Sequence, residues 1–197
     1  PTPLMIQATT AIQVCSRALL LIGADPITSF EDGTTEAVVA NAIYEDYVRG
    51  LLSSMRWRFA TKQFELNRLV ATPTGRWSAA YTLPSDSILV NTVTENDCPI
   101  KYDIYSGKVF CDAGESSSVV ADYIFRALEA NWPPYFTLGV ELALAAMFAT
   151  SIARDTSLNS MMEQKAQFQL AQARRLDSQN QTTRNLFTSR FIAERRT

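Results

Sequence analysis

No glycine follows Gly139 and no proline follows Pro134 in this chain of 197 residues, so its last 58 residues lack both strong breakers of regular backbone. That stretch is rich in Ala, Gln, Leu and Arg, a composition that predicts long helices. Residues 72–125 show the opposite pattern. There Pro73, Gly75, Pro84, Pro99, Gly107 and Gly114 punctuate short runs of β-branched and aromatic residues, which predicts strands.

Near the start, Thr9 or Thr10 can cap a helix over residues 10–22 whose apolar positions Ala11, Ile12, Val14, Cys15, Ala18, Leu19 and Ile22 follow three-four spacing, and Gly23 can close it. A loop follows, with Pro26 fixing the chain and Ile27 and Phe30 as apolar anchors. Thr34 or Thr35 opens a second helix reaching about residue 55. Its apolar stripe is wider than one side, so both faces are expected to touch protein. The next residues, Arg56-Trp57-Arg58-Phe59-Ala60, read as an extended exit. Trp57 and Phe59 are expected to cover the end of the helical core, the alternative being an aromatic platform for single-stranded bases.

Five strands are predicted over residues 79–83, 88–94, 100–105, 108–111 and 117–125, with a tight hairpin at Tyr105-Ser106-Gly107-Lys108. The last strand is apolar on both sides and is expected to be central. After the stop at Trp132-Pro133-Pro134, residues 136–153 form a stretch apolar enough to raise the question of a membrane span. Glu141, Gly139 and three hydroxyl residues within it point to a buried core helix instead. A final helix is predicted over residues 158–178. The fold class expected is α+β and mainly α: a helical bundle from residues 1–71 and 126–178, an inserted small antiparallel β-sandwich or barrel at 72–125, and a C-terminal docking tail at 179–197.

Histidine is absent, which removes the usual general base near neutral pH, the commonest metal ligand and every Ser-His or Cys-His nucleophile pair. The cysteines Cys15, Cys98 and Cys111 are odd in number and widely spaced, suggesting neither a disulfide framework nor a zinc knuckle. No phosphate-binding glycine loop, nucleophile elbow, zincin helix or calcium loop is found. Residues 1–6 do not read as a secretory signal. Glu31-Asp32 and Glu45-Asp46 are neighbours in sequence, not carboxylates held across a sugar, and Asp86 follows Pro84-Ser85 as a turn residue; all are read as surface, cap or turn groups. No catalytic residue, metal site or cofactor is therefore expected.

Charge is distributed unevenly. From Arg174 onward six arginines face Asp177 and Glu194, an excess of +4 that leaves −6 on residues 1–173 of a chain whose net charge is −2. The same tail carries Leu186, Phe187, Phe191 and Ile192 among Gln, Asn, Thr, Ser and Arg. Aromatic anchors beside arginines suit docking onto a partner protein with an acidic rim. Phosphate contact and a plain solvated tail are the competing readings.

In their order and spacing, several segments resemble the head-to-tail adaptor family of short-tailed bacteriophages, also called tail tubular protein A. They are Ala18-Leu19-Leu20-Leu21-Ile22-Gly23-Ala24-Asp25-Pro26-Ile27-Thr28-Ser29-Phe30, Tyr44 with Leu51-Leu52, Trp57-Arg58-Phe59-Ala60, Trp77, Tyr81-Thr82-Leu83-Pro84-Ser85-Asp86, Trp132-Pro133-Pro134-Tyr135-Phe136 and Leu142-Ala143-Leu144-Ala145-Ala146. The likeness runs to about residue 177. Ala24 departs from it, standing where an acid is expected, and residues 93–118 follow no shared pattern.

The resemblance implies a structural virion protein with no enzymatic turnover, made in the host bacterial cytoplasm and sited in the short tail at the portal vertex. It would form a homo-oligomeric ring, expected to hold twelve copies, between the portal protein and the tail nozzle protein, with tail fibres or spikes as further neighbours. Genome would pass through its bore without specific binding, and no membrane is involved. On this reading the partner of the tail is the portal, met by Arg184, Leu186, Phe187, Arg190, Phe191, Ile192, Arg195 and Arg196. The alternatives are an adaptor with cell-wall hydrolase activity and a DNA-end-binding head-completion protein.

Overall fold

A computed structural model describes residues 7–71 and 73–179. Its first helix, α1 (Ala11–Leu21), begins where Thr10 accepts a hydrogen bond from the Gln13 N–H at 3.3 Å, while the Gln13 side chain reaches back to the Thr9 N–H at 2.9 Å. This is a capping box displaced by one residue. At the other end Gly23 adopts φ +76°, and the Ala24 and Gly23 N–H groups bond to the carbonyls of Leu19 and Leu20. That Schellman closure needs a residue free to be left-handed, which is why glycine stands there.

The loop to the second helix is built on Asp32. Its carboxylate accepts from the Thr28 and Ser29 N–H groups at 2.7 and 2.9 Å, and these backbone bonds hold its pKa below the ordinary value. Helix α2 (Thr35–Ser53) is capped by the Thr34 hydroxyl and buries the stripe Ala37, Ala40, Tyr44, Val48 and Leu52. Beside this stripe Val39, Ile43, Tyr47 and Leu51 are half-buried and pack against the same core, while Val38 is exposed. The predicted extended exit is instead a 3-10 turn, Arg58–Ala60. The Trp57 indole N–H bonds back to the Leu51 carbonyl, and the Thr61 hydroxyl bonds to the Trp57 carbonyl, so the chain is turned around the tryptophan.

Among the described residues, eight strands form two four-stranded antiparallel sheets, in a fold that is mixed α+β. One sheet has the order β1 (Thr61–Glu65), β8 (Val119–Phe125), β4 (Ser87–Glu95), β5 (Cys98–Pro99). The other has the order β2 (Asn67–Arg68), β3 (Ala79–Thr82), β7 (Lys108–Cys111), β6 (Tyr102–Tyr105). Strand β8 lies between β1 and β4, the central place its two-sided apolar pattern predicts. The hairpin at Ser106 and Gly107 is also as expected, both residues having positive φ.

Two features of the sheets differ from expectation. Strand structure starts at Thr61, before residue 72, because β1 is an exposed polar edge whose side chains carry no apolar alternation. The strand predicted over 100–105 is Tyr102–Tyr105, which pairs with β7, and an unpredicted two-residue strand just before it, Cys98–Pro99, pairs with β4 in the other sheet. Side chains of both sheets meet in one apolar cluster that includes Leu66, Tyr81, Val93, Val109, Val119, Ala121 and Tyr123.

The chain then enters α3 (Pro134–Ser151), with Pro134 at its first turn, where a missing N–H costs nothing. This helix is buried on most sides and holds Phe136, Val140, Leu144 and Phe148 in a second apolar cluster with α1, α2 and Trp57. Trp57 and Trp132 approach the Phe136 ring edgewise at 4.9 and 5.1 Å. Among the described residues, no helix is long and apolar enough to cross a membrane. After the left-handed Arg154, Asp155 caps α4 (Thr156–Gln179) by accepting from the N–H groups of Ser157 and Leu158. Helix α4 lies back along α3 so closely that a Cβ on Gly139 would stand 2.7 Å from Leu170 Cδ2.

Candidate interaction surface

All eight residues expected to meet a partner, Arg184, Leu186, Phe187, Arg190, Phe191, Ile192, Arg195 and Arg196, lie outside the described residues. What the structure does define is the point from which that segment departs. Asp177, two residues before the end of α4, is fully buried. Its carboxylate accepts from the Arg58 backbone N–H at 2.7 Å and from the Tyr135 hydroxyl at 2.9 Å. Burial, together with the adjacent carboxylate, raises the Tyr135 hydroxyl to about 12, so it remains a donor at any physiological pH. The last turn of α4 is thereby tied to the 3-10 turn and to the start of α3.

A second buried polar node joins the sheets to the helices. The Arg126 guanidinium, just after β8, contacts Glu129 at 2.6 Å and Glu45 of α2 at 3.0 Å, and Tyr44 donates to Glu129 at 2.9 Å. Burial works against the Arg126 charge, but the hydrogen bonds to Glu45 and Glu129 outweigh it and keep its pKa above the ordinary value. Burial also opposes the Glu45 charge, and the bonds from Arg126 and Arg49 overcome it, holding that carboxyl below its usual range. Burial, reinforced by Glu129, pushes the Tyr44 hydroxyl upward.

Other groups with chemical potential are committed within the fold. Asp86 pairs with Lys62 at 2.9 Å and accepts from the Tyr123 hydroxyl, contacts that lower its pKa, the Lys62 bond foremost. Cys15 and Cys111 are buried, and burial lifts their thiols to about 12 and about 11, leaving them protonated and unreactive. Trp57 is fully buried and packs against Phe59 and Phe136, so it covers the core and offers no face to a base. No cluster of three or more His, Cys, Asp or Glu able to hold a metal is found among the described residues.

Two surface features were not legible from composition. A groove of about 400 Å³ runs between α2 and α4 with α3 as its floor, lined by Tyr47, Ala143, Ala146, Met147, Asn159, Glu163, Ala166, Gln167 and Leu170. Its depth comes from alanines at facing positions of α3 and α4, a pairing visible only once the helices are aligned. The second is the outer side of α4, where Met161, Phe168 and Leu176 are exposed, Phe168 to 67%. Asp177 and Glu129 were also missed as buried anchors. For Asp177 a signal existed, since it continues the buried spacing of Ala166, Leu170 and Ala173.

Comparison with known protein families finds no family that matches this chain, and no curated protein matches it.

Proposed function

We propose that the chain is a structural virion protein, a head-to-tail adaptor of a short-tailed bacteriophage that joins a portal to a tail nozzle as a homo-oligomeric ring. On this reading the four helices form a bundle from both ends of the chain, and the two sheets form a sandwich inserted between α2 and α3. The segment after Gln179 is the portal-docking element, with Phe187 and Phe191 filling apolar pockets and Arg184, Arg190, Arg195 and Arg196 bonding to acidic portal groups.

The observation that carries the proposal is the contrast within one chain: an acidic body beside a terminal segment that is cationic and apolar at once. An acidic wall repels duplex phosphate and lets genome slide through a bore, whereas a cationic lining would hold it by releasing counterions. Pinning of the last α4 turn by Asp177 supports the reading further, because a docking arm gains affinity when its root is held in place.

Affinity for isolated portal rings tests it. Replacing Arg184, Arg190, Arg195 and Arg196 together by Glu is expected to weaken binding at least tenfold at moderate salt, equal to about 1.4 kcal/mol. Unchanged affinity would reject the docking role of the tail. Salt-steep binding of duplex DNA by the isolated chain would instead favour a DNA-end-binding role.

A further inference from the structure

We propose that the groove between α2, α3 and α4 is the seat for the exposed side of α4 from a second copy of this chain, so that copies add head to tail with Phe168 as the plug. The inference deepens the ring reading by naming the contact between its subunits.

Successive residues of a helix are separated by about 100°, so positions two apart point to nearly opposite sides. Ala166 and Leu170 line the groove, and Phe168, midway between them, is exposed. The groove-lining positions 159, 163, 166, 167 and 170 and the outer positions 161, 165, 168, 172, 175 and 176 each follow three-four spacing on opposite sides of α4. A two-fold dimer needs one self-complementary patch. A plug and a socket on opposite sides cannot be satisfied together by a single two-fold contact, so pairing them adds copies in one direction, the geometry of a ring or filament.

Charge selects the same pairing. The outer side carries Lys165 and Arg175 beside its apolar residues, all exposed. The socket presents Glu163, close enough to Tyr47 across the groove to help raise that hydroxyl's pKa after burial, and Asp46 is the exposed neighbour of Tyr47 on α2. Met161 to Leu176 covers about 22 Å along the helix axis and the groove along residues 159–170 about 16 Å, at 1.5 Å per residue, so the groove takes the part of the stripe around Phe168. An apolar stripe flanked by cations thus faces a trough that carries the acid Glu163 among its small residues.

Sedimentation of the full chain over a concentration series tests the contact, using two substitutions at exposed positions. Phe168→Asp removes the plug and Glu163→Arg reverses the socket charge; circular dichroism confirms that each keeps its helices. The wild-type chain is expected to pass beyond dimers as concentration rises. Each variant alone should weaken association at least tenfold. An equimolar mixture should stop at a one-to-one dimer, since Phe168→Asp retains a socket and Glu163→Arg retains a plug, and that dimer should form with the affinity of the wild-type contact.

Multi-copy assembly that tolerates both substitutions would overturn the contact and leave the ring reading standing. A wild-type chain that halts at a dimer, or remains monomeric at millimolar concentration, would overturn both. Loss of association on replacing Phe187 and Phe191 by Asp, with Phe168→Asp silent, would assign the groove to the C-terminal segment and overturn the proposal.

Discussion

Arg126 shows how much of this fold rests on single charged groups placed where water is scarce. Its side chain and that of Glu129 are only 15% and 10% exposed, and their contact at 2.6 Å links the end of β8 to the turn before α3. Removing one partner of such a pair strands the other, and so Arg126→Met is expected to cost about 3 kcal/mol in urea unfolding at pH 7. The pH dependence has a definite sign. Glu45 has a folded pKa below its unfolded value, so its contribution is present above the unfolded carboxyl range and is lost as pH falls through the folded value. Wild-type stability should therefore fall as pH drops below the ordinary carboxyl range, and Arg126→Met should show a shallower fall because the pair is already gone. An unchanged pH slope would show that Glu45 draws its shift from elsewhere. Glu141 acts in the opposite sense. Burial, only partly countered by Arg17, raises its pKa, and the stability this gives is present at low pH and lost as pH rises through the folded value.

At the scale of elements, legibility in the sequence followed the chemistry of the ends. Helix α1 was readable to within a residue at each boundary because Thr10 and Gly23 mark its cap and closure with residues few others could replace. Strands β3, β7 and β8 were readable because at least one face is buried, and β4 because its half-buried residues are rich in β-branched side chains around the buried Val93. Strand β1 was not, since Lys62, Gln63, Phe64 and Glu65 are all exposed and it owes its place to backbone pairing with β8. The 3-10 turn escaped notice for a similar reason: it is set by Trp57 bonding to Leu51 and by Asp177 arriving from 119 residues away. The tail residues expected to meet a partner stand out by composition alone and lie outside the described residues, whereas the groove is a product of helix alignment that no linear pattern displays.

Two glycines give the element scale its own test. Gly50 lies exposed inside α2 with open space around its missing Cβ, so Gly50→Ala should raise stability by up to about 1 kcal/mol. Gly23 also has open space, but its φ of +76° strains any L side chain, and Gly23→Ala should lower stability by about 1 kcal/mol. Thermal melts of the two variants should move in opposite directions. A stabilised Gly23→Ala would show that the closure of α1 is not left-handed.

For the whole molecule, the proposal joins three properties: helices rooted on a shared apolar core, charge of one sign on the body and the other on the terminal segment, and a plug and socket on opposite sides of α4. Together they describe a part that repeats around a ring and reaches toward a neighbour of a different kind. Electron microscopy of purified portal rings mixed with the chain tests this most directly. The account predicts a second ring stacked on one end of each portal, absent when residues 180–197 are deleted. Portals that stay bare with the full chain, or that are capped equally well by the shortened one, would contradict it.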